Sequence, residues 1–334
     1  MTKFYEVLRV GETASRAEII DVYQTLDDPS IEQRTAFETL SDPERRFRYD
    51  TEGDPEPSFI RAAEDTYRIV RFAARGDIAD VYQGVAEDSN QIVAIKIARE
   101  PGEFMGRECV AITSNLRPSK ASDSDKKSFR YFPSILSHLR AQLHGSTYHC
   151  TIFEWLDGFH TFEEIKTRLG GNLRFEHVVW MLNRVLEALD IAHRKGVSHC
   201  AILPCNLMAF SSLKQHPMNH GVKVIGWCHN NSSHVDQMNM ISPYENLYPP
   251  TTERASLHFS KSRDVYMAVQ CALYMLAGTD APEYLIEFLD QSLTASRNDW
   301  IESPWKLHEA LKEYMAKHYG PKKYIPFSID NPNP

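Results

Sequence analysis

The stretch that most limits what this chain can become runs from Phe175 to Cys228. It opens with FEHVVWMLNRVLEALDIAHRKG, where Val178, Val179, Leu182, Val185, Leu186, Leu189 and Ile191 recur at helical spacing. Apolar residues in that rhythm give one long helix a broad apolar face, and a face that wide belongs to a buried core. The chain then reads VSHCAILPCNLMAF, a polar turn, and VKVIGWC. A long core helix therefore delivers a loop from His199 to Asn206, and a strand follows.

This order, and several of its residues, resemble the catalytic core of the protein kinase family. The family's catalytic loop is H-R-D-x-K-P-x-N, and the strand after it ends in D-F-G. His199, Pro204 and Asn206 fall on the family's positions. Ala201 stands where the catalytic aspartate belongs, Leu203 where the phosphate-contacting lysine belongs, and Gly226, Trp227 and Cys228 replace D-F-G. Phosphoryl transfer needs one carboxylate to orient the attacking hydroxyl and another to hold magnesium against the phosphates. Ala201 and Gly226 supply neither, so the resemblance implies a pseudokinase and not an enzyme.

The resemblance extends well beyond the loop. From Tyr67 the sequence alternates as strands do, with a turn at Asp88-Ser89-Asn90 between two apolar runs. VAIK, Val93 to Lys96, fits the family's third strand, and Glu108 in FMGRECVAITSNL falls where the family has the ion-pair partner of that lysine. The phosphate-covering loop aligns as Ala74 to Val81 and keeps only its middle glycine, Gly76, with Asp77 and Asp80 nearby. SILSHLRAQLHGSTYHCTIFEWLDG reads as two strands leading to a hinge, Glu154 to Asp157, where the family stacks adenine. Asp157 is placed to meet a ribose or to cap the helix that starts near Thr161.

Further on, Glu245, Asp264 and Arg297 match structural positions of the family: a glutamate and its arginine partner, and the aspartate that bonds the catalytic-loop backbone. His199 and Trp227 match the internal column of side chains joining the two lobes. Gly76, Lys96, Glu108, Asn206 and Asp157 are the positions at which the resemblance would place nucleotide. ATP is the one cofactor it implies, without securing it.

The first fifty residues carry a second resemblance. FYEVL, a helix start at Thr13-Ala14-Ser15 with Glu18 three residues after Ser15, and AFETLSDPERRFRYD together look like a J-domain, the helical hairpin of heat-shock cochaperones. Ile19, Ile20, Val22, Tyr23 and Leu26 suit one helical face, and Ala36, Phe37 and Leu40 the facing one. The family's H-P-D tripeptide is absent, and Asp27-Asp28-Pro29-Ser30 stands in its place, which argues against a heat-shock chaperone ATPase as partner. Arg45, Arg46 and Arg48 read as a solvated basic end.

Composition bounds the rest. Residues 1–65 carry sixteen acidic and eight basic side chains, which is the whole of the net charge of −8 over 334 residues. A neutral body with an acidic appendage does not suit nucleic acid, which needs a basic face. No run of about eighteen apolar residues could span a bilayer, so no membrane is expected. The amphipathic N-terminus carries acids and indicates neither signal nor transit peptide. Six scattered cysteines suit a reducing cytoplasm. Cys200, Cys205, Cys228, His199 and His229 follow no zinc spacing, and no metal site is expected.

The fold class expected is α+β: a two-lobed protein-kinase-like fold with an antiparallel β-sheet small lobe and a helical large lobe, preceded by a small helical J-domain-like module. The boundaries are 1–50 for the module, 51–58 for an acidic, proline-containing linker, 59–153 for the small lobe, 154–157 for the hinge and 158–334 for the large lobe. The function expected is a scaffold or regulatory module for a protein partner, with residual nucleotide binding. The alternatives are an unorthodox ATP-dependent phosphotransferase or nucleotidyltransferase, with Asn206, Glu108 or a loop aspartate holding metal, and a cochaperone acting through the J-like module.

Overall fold

The computed structural model describes residues 3–26, 29, 31–52, 59–62, 65–99, 104–117, 129–143, 146–211, 221–230, 240–241, 243–250, 261–293, 303–321 and 325–330. The stand-in for H-P-D apart from Pro29, residues 53–58 of the expected linker, and Arg297 lie outside them. The chain forms two compact units, one of residues Met1–Glu100 with Leu139–Cys150, the other of Pro101–His138 with Thr151–Pro334. The helical module and the first strands therefore share a unit, where the sequence suggested a boundary near residue 51.

In the first unit, α1 (Lys3–Leu8), α2 (Arg16–Gln24), α3 (Ile31–Leu40) and α4 (Pro43–Glu52) surround Tyr5, Leu8, Ile19, Ala36, Leu40 and Tyr49. Ser15 caps α2 in a full capping box with Glu18. Arg46 donates to the carbonyls of Ala14 and Glu12 at 2.6 and 2.7 Å and to the Tyr5 hydroxyl at 2.9 Å. The expectation of a solvated basic end is thus corrected at Arg46, whose guanidinium fastens α4 to the α1–α2 loop. α4 itself runs through Thr51 and Glu52, into the expected linker.

Strands β1 (Phe59–Arg61), β2 (Thr66–Arg75), β3 (Ala79–Ala86), β4 (Ile92–Ala98), β5 (Ile135–Leu143) and β6 (Ser146–Glu154) form one sheet in the order β1-β2-β3-β4-β6-β5. β1 to β4 are antiparallel neighbours. Alternation puts Ile60, Tyr67, Ala86, Val93 and Ile95 in the core. Gly84 is required where it stands, because a Cβ there would lie 2.3 Å from the Ile95 side chain and 2.9 Å from the Arg68 carbonyl.

In the second unit, α5 (Phe104–Val110) continues as a π-helical stretch, Ala111–Leu116. The Thr113 hydroxyl bonds the Cys109 carbonyl four residues back, at 2.7 Å, a contact that competes with the helical ladder. α6 (Phe162–Leu169), α7 (Phe175–Arg194), α8 (Lys261–Leu276), α9 (Glu283–Ser292) and α10 (Pro304–Tyr319) supply the helical mass. A small antiparallel sheet of β7 (Phe159–Thr161), β8 (Leu207–Phe210) and β9 (Val222–Val224) lies under the loop that follows α7. Val178, Leu182, Val185, Leu186 and Leu189 of α7 are buried as their spacing requires.

Candidate functional site

The loop from Val197 to Asn206 is organised by one carboxylate. Asp264, in the first turn of α8, is fully buried. One oxygen accepts the His199 N–H at 2.7 Å and pairs with His193 Nε2 at 2.9 Å, and the other accepts the Cys200 N–H at 2.7 Å. Burial pushes this carboxyl upward, but the hydrogen bonds from His193 and from the His199 backbone N–H outweigh it, and the carboxyl lies below its ordinary value. The same grip holds Cys200 at φ 66°, a left-handed conformation that a residue with a Cβ adopts only when its surroundings dictate it.

His199 bridges loop and strand. Its Nδ1 accepts the Ala201 N–H at 3.2 Å, so Nε2 carries the proton and donates to the Ile225 carbonyl at 2.8 Å. Burial pushes its pKa down to about 4, and the ring is neutral near pH 7. Its ring meets Trp227 at 4.5 Å, and Trp227 meets Phe132 at 5.5 Å, edge to face in both cases.

The positions of family chemistry have a different character. Ala201 and Leu203 are completely buried. The Asn206 amide donates to the Ala201 carbonyl at 2.9 Å. Gly226 has φ 75°, and a Cβ there would lie 2.4 Å from Asn206 Oδ1. Asn206 therefore occupies the space an aspartate at 226 would need. Glu108, almost fully buried on α5, accepts the Trp227 N–H at 3.0 Å and the Cys228 thiol at 3.2 Å. Asn230 donates to the Arg107 and Trp227 carbonyls, closing the joint between α5 and the turn Trp227–His229.

In the first unit, Gly76 sits at the tip of the β2–β3 hairpin. Its N–H is spent on the Ala79 carbonyl at 2.8 Å. Arg75 pairs with Asp80 at 3.1 Å, and Arg99 bonds the Asp77 carbonyl with its side chain and the Ile78 carbonyl with its backbone N–H. Asp80 of the aligned loop is thus an ion-pair partner of Arg75. Lys96 lies half-buried on β4, opposite Val81.

Geometry bears on two residues of the expected hinge. Asp157 is exposed and does not cap the following helix, because Thr161 does so in a capping box with Glu164. Glu154, at the expected hinge, is an anchor: its carboxylate accepts the Ser134 N–H at 3.1 Å and Lys223 Nζ at 2.8 Å. Glu245 is exposed in a short 3₁₀ turn. Sequence reasoning missed the Cys228 thiol as a donor, His193 as a partner of Asp264, and the Arg75–Asp80 and Arg99–Asp77 contacts. His193 was within reach, being six residues before His199 at the end of an amphipathic helix. The thiol carries no sequence signal.

Among the described residues no group of three or more His, Cys, Asp or Glu side chains is set to hold a metal ion. The donor set is poor for the magnesium that the family holds against phosphate, since Gly226 has no side chain and both Glu108 carboxylate oxygens accept bonds within the joint, so that Asn206 Oδ1 is the one oxygen of these three positions left to meet a cation. No described helix is long and apolar enough to cross a membrane.

Comparison with known proteins bears on these positions. No family model matches the chain. The Lactococcus lactis protein named "Probable serine/threonine-protein kinase PknB" is 28% identical over 160 residues, 44% of this chain and 22% of that protein. The Schizosaccharomyces pombe serine/threonine-protein kinase ppk5 is 27% identical over 160 residues, 48% of this chain and 18% of that protein. The matched region thus spans about a fifth of each relative. Among solved structures, the BubR1 kinase domain aligns with TM-score 0.59 at 15% identity, over 84% of this chain and 92% of that one. The Mycobacterium tuberculosis PknI kinase domain aligns with TM-score 0.52 at 17% identity, over 74% of this chain and 96% of that one. The expectation that the chain is not an enzyme is corrected by these findings, since its sequence relatives are named as kinases. The chain has a protein-kinase-like fold, mixed helix and sheet with an antiparallel sheet, and its sequence kin are serine/threonine kinases.

Proposed function

We propose that this chain is a kinase-fold regulatory module that binds a protein partner, with ATP as a ligand contacted by Lys96. The observation that carries the reading is the joint at Gly226, where Asn206 fills the metal-binding aspartate's place and Glu108 is held by Trp227 and Cys228. A site rebuilt in this way works through shape, and nucleotide shifts a conformational equilibrium only by binding one state better. The N-terminal helices are read as a J-domain-like module that docks a protein other than a heat-shock chaperone ATPase, because H-P-D is absent. The six cysteines, scattered without a disulfide-framework spacing, support a cytoplasmic setting.

The named relatives favour a second reading, ATP-dependent transfer by unorthodox geometry. Such transfer would run on groups other than the family's two aspartates, since Ala201 and Gly226 replace them. Calorimetric titration with ATP, comparing wild type with Lys96→Ala, tests the first reading. Micromolar binding that is lost in the variant supports it, and absence of binding up to millimolar ATP removes nucleotide from it. Incubation with labelled ATP and mixed protein substrates tests the second, and incorporation above that of Lys96→Ala would establish it.

A further inference from the structure

Two register shifts interrupt β2, one between Ile69 and Arg71 and one between Phe72 and Ala74. Bulges re-aim side chains and bend an edge. The two residues between these shifts both meet the helical module within the first unit. Arg45 of α4 lays its guanidinium over the Phe72 ring, 4.4 Å from its centre. Arg71 reaches Glu38 of α3 at 3.7 Å and donates to Gln83 of β3 at 2.8 Å. Phe72 in turn stands edge-on to Tyr82 of β3 at 5.6 Å.

The location gives these contacts a consequence. β1 pairs only with residues 66–68 of β2, so among the described strands the later part of β2 is an edge on that side. Edges of this kind are usually covered or charged. Three residues beyond Phe72 begins the hairpin closed by Arg75–Asp80 and by the Gly76 N–H on Ala79. Strand β3, which Arg71 and Phe72 also touch, is that hairpin's other arm. The Arg71–Glu38 pair is partly exposed and contributes little. The Arg45–Phe72–Tyr82 stack is the stronger element.

We propose that the helical module is a clamp, acting within the chain, on the β2–β3 hairpin. Arg45, stacked on Phe72, holds the bulged edge of β2 and thereby sets the hairpin that in the kinase fold covers nucleotide phosphates. Any bearing of the clamp on nucleotide rests on the function proposed above, whereas the clamp itself does not.

Amide hydrogen exchange on the full chain tests it, comparing wild type, Arg45→Ala, Arg45→Lys and Phe72→Leu. Arg45→Ala is expected to speed exchange in residues 76–83 about tenfold, with Arg45→Lys close to wild type. Peptides around Ile19 in the module core should keep their protection, which separates release from unfolding of the module. Unchanged hairpin exchange in Arg45→Ala would overturn the clamp. ATP titration of the same variants adds a separate readout: if wild type binds no ATP, the nucleotide reading fails while the exchange result still decides the clamp.

Discussion

Asp264 and Gly226 govern the same short loop system and could hardly differ more. Around Asp264 the chain keeps a buried charge and meets it with two backbone N–H groups and His193. Around Gly226 it has removed the side chain and filled the space with Asn206. Polar groups persist where they satisfy backbone that would otherwise be buried without partners. They are absent at Ala201 and Gly226, where the kinase pattern places its two aspartates. The contrast is between a carboxylate that holds the loop and two positions that carry no polar side chain.

The sharpest way to break that contrast is at its retained end. Asp264→Ala strands two buried N–H groups and His193, and should cost about 3–5 kcal/mol, read as a lower urea midpoint. Asp264→Asn keeps an acceptor and should cost less. A midpoint within error of wild type for Asp264→Ala would show that the loop is held by something else.

Acid provides the next largest effect. His199 is neutral in the fold with its pKa at about 4, whereas an unfolded histidine titrates near 6.5. Between those values the unfolded chain binds more protons, so stability is intact above pH 6.5 and falls as pH drops towards 4. The loss is about 3 kcal/mol. Burial lowers His160 and His308 in the same direction. Urea denaturation from pH 7.5 to 4.5 measures the slope, and a flat profile would mean that His199 is not neutral and buried.

At the emptied end, Gly226→Asp should destabilise by about 1–3 kcal/mol, because the new Cβ meets Asn206 at a positive φ. Adding Asn206→Ala should recover part of that loss, a non-additivity expected only of side chains competing for one space. The smallest effect is expected at the joint's rim. Cys228→Ala removes the thiol's bond to Glu108 and should cost about 1 kcal/mol, with Cys228→Ser close to wild type.

Much of this was legible in the sequence, for identifiable reasons. The face of α7 and the α2 capping box follow from periodicity and from one serine–glutamate spacing, both of which act locally. Asp264, Asn206 and Glu108 could be placed through the resemblance, but what they bond could not. The Glu108–Cys228 contact joins residues 120 apart, and a thiol gives no pattern by which to find it. Of the two roles the sequence leaves open to Asp157, the helix cap is excluded only by backbone geometry, which gives the cap of α6 to Thr161. The arginines of α4 look alike in sequence, yet Arg45 stacks on Phe72 while Arg46 fastens a loop of its own module.

The most direct measurement of the central claim is the magnesium dependence of ATP binding to the wild-type chain. With Gly226 bare and both Glu108 oxygens bonded to Trp227 and Cys228, a single side-chain oxygen, Asn206 Oδ1, is too little to hold the ion, and the affinity for ATP should be the same with magnesium or with a chelator present. Binding that tightens tenfold or more with magnesium, and loses that gain in Asn206→Ala, would show that the site still holds a metal and that the joint at Gly226 has been misread.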